Sequence, residues 1–280
     1  MHSRSETRLI TGAHQIGLSS KVYAALTDIR AGIANYHVWG LLGWQDIRQR
    51  YRRSVIGPFW LTLSTAIMLC TMGLLYARLL NQDVSSYLPY LAVGLIVWGT
   101  ILLIVTESCS VFIQAEQIIK QVRMPLTTYV CRVVWRNAII FGHNAIILVP
   151  VVIWSGSATS ASLLSVPFGL LALFANGLWI GLFLGVLCAR FRDIPQIIVN
   201  LMQIAFFVTP ILYRPEVLGN RVWVADFNPL HHLIEVIRAP ILGAGVPAAS
   251  WLFVLVFTLT GSLLAILLFA RSRSRVPYWI

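Results

Sequence analysis

The chain has 280 residues, 58% of them hydrophobic and only 11% charged, with a formal net charge of +11. Soluble domains carry charge on about a quarter of their residues, so this composition, with a mean hydropathy of +0.78, excludes an ordinary soluble protein and indicates an integral membrane protein. The basic excess would suggest nucleic acid in a soluble chain. Here it sits at the edges of apolar stretches, where anionic headgroups and topology account for it, and no nucleic acid is expected as a partner.

Residues 1–35 read as a weakly patterned tail. Apolar residues begin in earnest only near Phe59, too late for a cleavable signal peptide. From Tyr36 to Arg53 the spacing of Leu41, Trp44, Ile47 and Tyr51 predicts a basic amphipathic helix lying in the membrane interface, with Arg48 intruding on the apolar stripe. Gly57-Pro58 should end it, and Phe59-Trp60 should anchor the first span. Residues 1–58 thus form a tail with an interfacial helix, 59–270 the transmembrane domain and 271–280 a second tail.

Five stretches of 20 or more residues lack Lys, Arg, Asp and Glu: 54–77, 84–106, 137–189, 194–213 and 239–270. A crossing needs about 20 mainly apolar residues. Only 137–189 can hold two, and the run of small polar residues from Ser155 to Ser162 divides it as a turn. The expected fold class is therefore an all-α membrane protein with six transmembrane helices, at about 59–76, 88–113, 133–154, 163–189, 194–213 and 248–269. Segment 114–125 reads as a short amphipathic connector ended by Pro125, and 214–247 as short re-entrant or gate helices that start at Asn228-Pro229.

Seventeen of the 21 basic residues fall on the side that carries both termini, so N and C termini should be cytoplasmic. The opposite side keeps Arg78, Arg214, Arg221 and Arg238, matched by Asp83, Glu216, Asp226 and Glu235. The four cysteines have no paired spacing and read as packing residues.

No catalytic cluster and no metal-ligand spacing stands out. Glu107 reads as the partner of an interfacial arginine, and His143 as a hydrogen-bonded helix residue. Neither Lys21 nor Lys120 stands in a phosphate-loop context, so ATP and Mg are expected on a separate subunit and no cofactor in this chain. The connector residues Glu116, Gln117, Lys120 and Arg123 are candidates for contact with that subunit. For Arg48, Arg50, Tyr51, Arg52 and Arg53 two readings stay open: a dock for a phosphate-bearing lipid headgroup, since arginine grips phosphate through a planar fork, or a polybasic topology anchor. Mid-span or near-span aromatics Trp98, Trp135, Trp179, Phe206, Phe207 and Tyr213 could stack on sugars in a conduit or simply pack.

Three runs carry a resemblance: Arg50-Tyr51-Arg52-Arg53-Ser54-Val55-Ile56-Gly57-Pro58-Phe59-Trp60, Ile119-Lys120-Gln121-Val122-Arg123-Met124-Pro125-Leu126, and Arg132-Val133-Val134-Trp135-Arg136-Asn137. Over residues 36–275 the chain resembles the permease subunits of ABC-2 type polysaccharide exporters, especially bacterial O-antigen export permeases. The resemblance implies a homodimer with two copies of a nucleotide-binding ATPase subunit, in the bacterial inner membrane. Such an assembly moves a polyprenyl-diphosphate-linked or other lipid-linked polysaccharide outward among membrane lipids. It also implies headgroup binding by the arginine cluster, ATPase coupling through 114–125, and an outer gate in 214–247 with Asn228, His231, His232 and Glu235. A membrane enzyme of lipid-linked sugar metabolism and an ABC-2 permease for a small drug or lipid are the alternatives.

Overall fold

The computed structural model describes residues 18–50, 52, 59–156 and 160–280, which are mostly helical with no strand among them. The first helices are α1 (Leu18–Ala34), α2 (Tyr36–Arg50), α3 (Phe59–Leu79) and α4 (Val84–Ser108). The short α5 (Val111–Gln114) and α6 (Glu116–Gln121) lead to α7 (Leu126–Ala145), which α8 (Leu148–Ser155) continues after a brief break. Beyond α9 (Ser160–Leu163) lie α10 (Val166–Arg190) and α11 (Ile194–Val208). A 3-10 segment, Pro215–Arg221, precedes α12 (Trp223–Asp226), α13 (Pro229–Ile241), α14 (Ala248–Ser272) and α15 (Val276–Trp279).

Among the described residues, five helical segments are long and apolar enough to cross a membrane: 62–79, 84–108, 126–154, 166–190 and 248–272. The fifth expected span, 194–213, is the one that falls short. α11 stops at Val208, which at 1.5 Å per residue gives it about 22 Å against a hydrocarbon core of about 30 Å. Pro210 explains the stop, because a residue before proline is pushed out of the helical region, and Thr209 indeed has φ −82° and ψ 132°.

Two other boundaries differ from expectation. Residues 18–34 form α1, a full helix seated on α7 and α14, where a weakly patterned tail was expected. The third span begins at Leu126, not near 133, since Pro125 is a ready helix start and its amides find a cap described below. The turn at Gly57-Pro58, and residues 157–159 of the Ser/Ala turn, lie outside the described residues.

α4 is the axis of the molecule. It is buried along most of its length and touches α3, α7, α8, α10, α11 and α13. α10 approaches α4, α7 and α5 through Gly177, Gly181 and Gly185, four residues apart on one face; a Cβ at these positions would press on Ile104 of α4, on Val130 of α7 and Ser108 of α4, and on Val111 and Phe112 of α5. Small residues at this spacing let helix backbones close up where hydrocarbon supplies no hydrophobic drive. At its other end α10 meets the backbone of α13. A Cβ on Gly169 would lie 2.6 Å from the Val236 carbonyl oxygen.

Because that neighbour is backbone and cannot rotate aside, Gly169→Ala should separate α10 from α13 and cost about 1–3 kcal/mol. A lower melting temperature in detergent is the expected result; an unchanged one would mean the two helices are not in such contact.

Candidate functional site

Charged residues from distant parts of the chain meet at the basic end of the bundle. Asp46 and Arg50 come from the last turns of α2, Glu107 from the end of α4, and Arg132, Arg136 and Asn137 from one face of α7. Arg132 Nε and Arg136 Nη1 each donate to Asp46 Oδ2 at 2.8 Å. Arg136 Nη2 and Asn137 Nδ2 each donate to Glu107 Oε2 at 2.7 Å, and Arg50 Nη2 reaches Glu107 Oε1 at 3.2 Å. Three guanidiniums face two carboxylates, leaving one positive charge over. α2 can lie this close to α7 because Gly43 faces the Trp135 ring and the Arg132 carbonyl. Beyond the network, Gln45, Arg48, Gln49 and Arg52 line an open groove of about 520 Å³, with two guanidiniums and no carboxylate among its described lining residues.

A second assembly centres on Asp28 of α1, whose side chain is 1% exposed. Its carboxylate accepts from the Leu126 and Thr127 amides and the Thr127 hydroxyl, so it caps α7 from across the fold. It also accepts from Arg273 Nε at 2.8 Å. The segment after α14 folds back here: Lys120 Nζ donates to the Ile280 carbonyl at 2.8 Å and Arg192 Nη2 to the Trp279 carbonyl at 3.1 Å. Lys120 also holds Glu116 at 2.6 Å, and that contact keeps the Glu116 carboxyl below its usual range.

At the far end, the non-helical residues after α11 rest in a polar cradle. The Pro210 carbonyl accepts from Arg238 Nη1 at 2.8 Å and from the Tyr90 hydroxyl at 3.1 Å. Tyr90 also donates to the Tyr213 carbonyl, and Tyr87 to that of Leu212. Arg238 is 1% exposed, pairs with Glu235 at 2.6 Å and stacks 4.0 Å above the Tyr90 ring. Asn228 caps α13 through the Leu230 and His231 amides and donates to Thr209. His232 bridges Ser250 and the Asp226 carbonyl, while His231 Nδ1 lacks a partner among the described residues. Burial first, and Arg238 second, push the His231 imidazole down to about 4, so it is neutral at ordinary pH.

These features lie largely within one matched region. Residues 37–242 match the ABC-2 type transporter family, which covers α2 to α13. The chain belongs to that family. It is a transporter component and not an enzyme. Among curated relatives, it is similar to O-antigen export system permease protein RfbA of Klebsiella pneumoniae, 24% identical over 68% of this chain and 74% of the relative. It is likewise similar to the RfbA permease of Myxococcus xanthus, 23% identical over 70% of this chain and 76% of that one.

Within this ABC-2 chain the residues expected at functional places fall into distinct settings. Of the arginine cluster, Arg50 is tied to Glu107, Arg48 and Arg52 line the groove, and Tyr51 and Arg53 lie outside the described residues. Glu107 has its arginine partners, as read from its position. His143 bonds the Ile139 carbonyl in its own helix. The connector is shorter than 114–125, only Glu116–Gln121 being helical in it beyond α5; Gln117 and Arg123 are exposed, and Lys120 is engaged by the folded-back segment.

Among the aromatics, Trp98, Phe206 and Phe207 line one apolar groove of about 470 Å³, and the Tyr213 hydroxyl bonds the Phe207 and Val208 carbonyls. Trp135 instead packs edge-on to Trp39, and Trp179 sits over Gly261 beside Phe257. Arg238, Tyr87, Tyr90 and Asp28 went unrecognised in the sequence. Arg238 stood out only as a charge matched to Glu235; the three others gave no local signal. Cys109, Cys131 and Cys188 are buried free thiols and Cys70 an exposed one.

Asp28→Ala should strip the α7 cap and leave Arg273 unmatched, at about 3 kcal/mol. Asp28→Asn, which keeps an acceptor, should lose less. Melting in detergent and protease cleavage between α6 and α7 read both; equal stability of all three chains would refute the cap.

Proposed function

We propose that this chain is the membrane permease of an ATP-driven exporter that carries a lipid-linked polysaccharide of the O-antigen type out of the cytoplasm. It would act as a homodimer in a bacterial inner membrane, with two copies of a separate ATPase subunit. The carrying observation is the similarity to O-antigen export permeases over about two thirds of the chain. The family match over residues 37–242 includes the end of α2, where Arg48 and Arg52 open on a groove whose described lining holds no carboxylate.

The charge bookkeeping supports the reading of that groove. Asp46 and Glu107 are already paired with Arg132, Arg136 and Arg50, so a further anion near Arg48 and Arg52 meets no competing carboxylate among the described residues of the groove lining. A diphosphate-bearing headgroup is the anion that a cargo of this class presents. Guanidinium pairs grip phosphate oxygens in two-pronged fashion, which lysine does not.

α6 is the element suited to receive the ATPase. It buries none of its residues, and Ile118 together with the following Val122 stays exposed. Lys120 ties it to the Ile280 carbonyl, and residues 122–125 join it to the start of α7, which Asp28 caps and links to Arg273, so a push on it would pass along the chain to α7.

In a host lacking its own copy, Arg48→Ala with Arg52→Ala should reduce surface polysaccharide about tenfold at equal membrane abundance, since two charge-assisted phosphate bonds are lost. Normal export from that variant would remove the groove from the mechanism. Ile118→Asp with Val122→Asp should abolish co-purification of the ATPase subunit while the permease still melts normally; retained binding would place the docking surface elsewhere.

A further inference from the structure

α11 is apolar apart from three amide side chains, Gln196, Asn200 and Gln203, four and three residues apart. At 100° per residue they fall within an arc of about 60°, and Phe207 continues the same stripe. All four are exposed. Gln196 Nε2 donates to Asn200 Oδ1 at 3.3 Å, which leaves each amide with further donors and acceptors. Gln203 and Phe207 form part of the 470 Å³ groove whose other walls include Trp98 and Phe206. The Phe206 ring lies 5.7 Å from Trp98 and 5.3 Å from Phe207.

Hydrocarbon is excluded as the neighbour of this stripe. An amide without partners in an apolar medium costs several kcal/mol, and a neighbouring arc of the same helix offers lipid a better face in Ile197, Leu201 and Ile204, all exposed. The amides therefore face water or a polar partner.

We propose that Gln196, Asn200 and Gln203 are a rail for the hydroxyl groups of a passing neutral glycan, with Trp98, Phe206 and Phe207 presenting apolar faces to its sugar rings. This rests on the exporter reading above and adds the chemical class of the transported segment. A carboxamide both donates and accepts, as a hydroxyl does, so each contact can be exchanged for the next as the polymer advances. The stripe holds no charge. A carboxylate or guanidinium would bind a polar group tightly enough to stop it, whereas weak interchangeable bonds beside apolar ring faces permit sliding.

The test uses the full-length chain with its ATPase subunit in a host deleted for the permease. Replacing Gln196, Asn200 and Gln203 together by Leu should lower glycan export about tenfold with subunit stoichiometry and ATPase binding unchanged, while Asn200→Gln and Gln203→Asn should retain export. Unchanged export in the triple variant overturns the proposal. So does loss of the dimer along with export, which would make the stripe a contact between two copies.

A second measurement does not need a functional triple variant. In a Cys70→Ser background, a membrane-impermeant maleimide should label Gln203→Cys and not Ile204→Cys, and glycan loading should slow the labelling. Equal labelling of both positions, or none at Gln203→Cys, overturns the rail. If the unaltered chain restores no glycan export, the exporter reading fails on its own, and the labelling pattern still decides whether the stripe faces water.

Discussion

The rest of this fold depends on one buried guanidinium. α11 ends at Thr209-Pro210, so the carbonyls of the next residues have no helix to serve them, in a protein whose outer surface meets hydrocarbon. Each unsatisfied carbonyl there would cost several kcal/mol. Arg238 donates to the Pro210 carbonyl, and the hydroxyls of Tyr90 and Tyr87 serve Pro210, Tyr213 and Leu212. The guanidinium itself is tolerable in a dry setting because Glu235 neutralises it and the Tyr90 ring lies under its plane. Burial of α13, the close contact of Gly169 with Val236 and the tie from Asn228 to Thr209 all follow from keeping Arg238 beside Pro210.

The same demand, applied to charge, sorts the arginines at the opposite end. Arg132 and Arg136 point back into the bundle and are consumed by Asp46 and Glu107, joining α2, α4 and α7. Arg48 and Arg52 are on the other side of that junction and line an open groove. Sequence proximity would have grouped Arg48, Arg50 and Arg52 as equals. Helix geometry separates them, since positions 46 and 50 share a face four residues apart and position 48 is turned away by about 160° from either.

How much of this was legible in the residues depended on the range of the interaction that decides each element. The long apolar runs set the crossings, because hydrocarbon thickness is a property of the solvent and needs no partner. Glu107 could be matched to an arginine because a lone carboxylate near a basic edge has few alternatives. Gly177, Gly181 and Gly185 could have been found by their spacing alone. By contrast, α1 has little pattern of its own and is fixed by Asp28 capping a helix about 100 residues later. The end of α11 was visible in Pro210, yet the apolar count ran through to Tyr213, since proline in an apolar run does not change hydropathy enough to end it. Tyr90 reads as an ordinary span residue and Tyr87 as the residue just before that span; their partners are carbonyls more than 100 residues away.

These two polar anchorages constrain what the molecule can do between them. Residues 209–213 are bonded to α4 through Tyr87 and Tyr90 and to α13 through Arg238, and each bond broken without replacement costs about 1–3 kcal/mol. The far end therefore moves as a block of α4, α13 and the post-α11 segment, since opening it piecemeal would strand buried carbonyls. At the basic end, Asp28 makes α1, α7 and α14 a second block. α4 and α7 lie in contact between them, and Glu107 bonds both Arg136 and Asn137 across that contact. A displacement of α6 would reach α7 along the chain and pass to α4 through packed side chains and ion pairs. α11, held at its far end but sparsely packed along its length, is the helix left to respond.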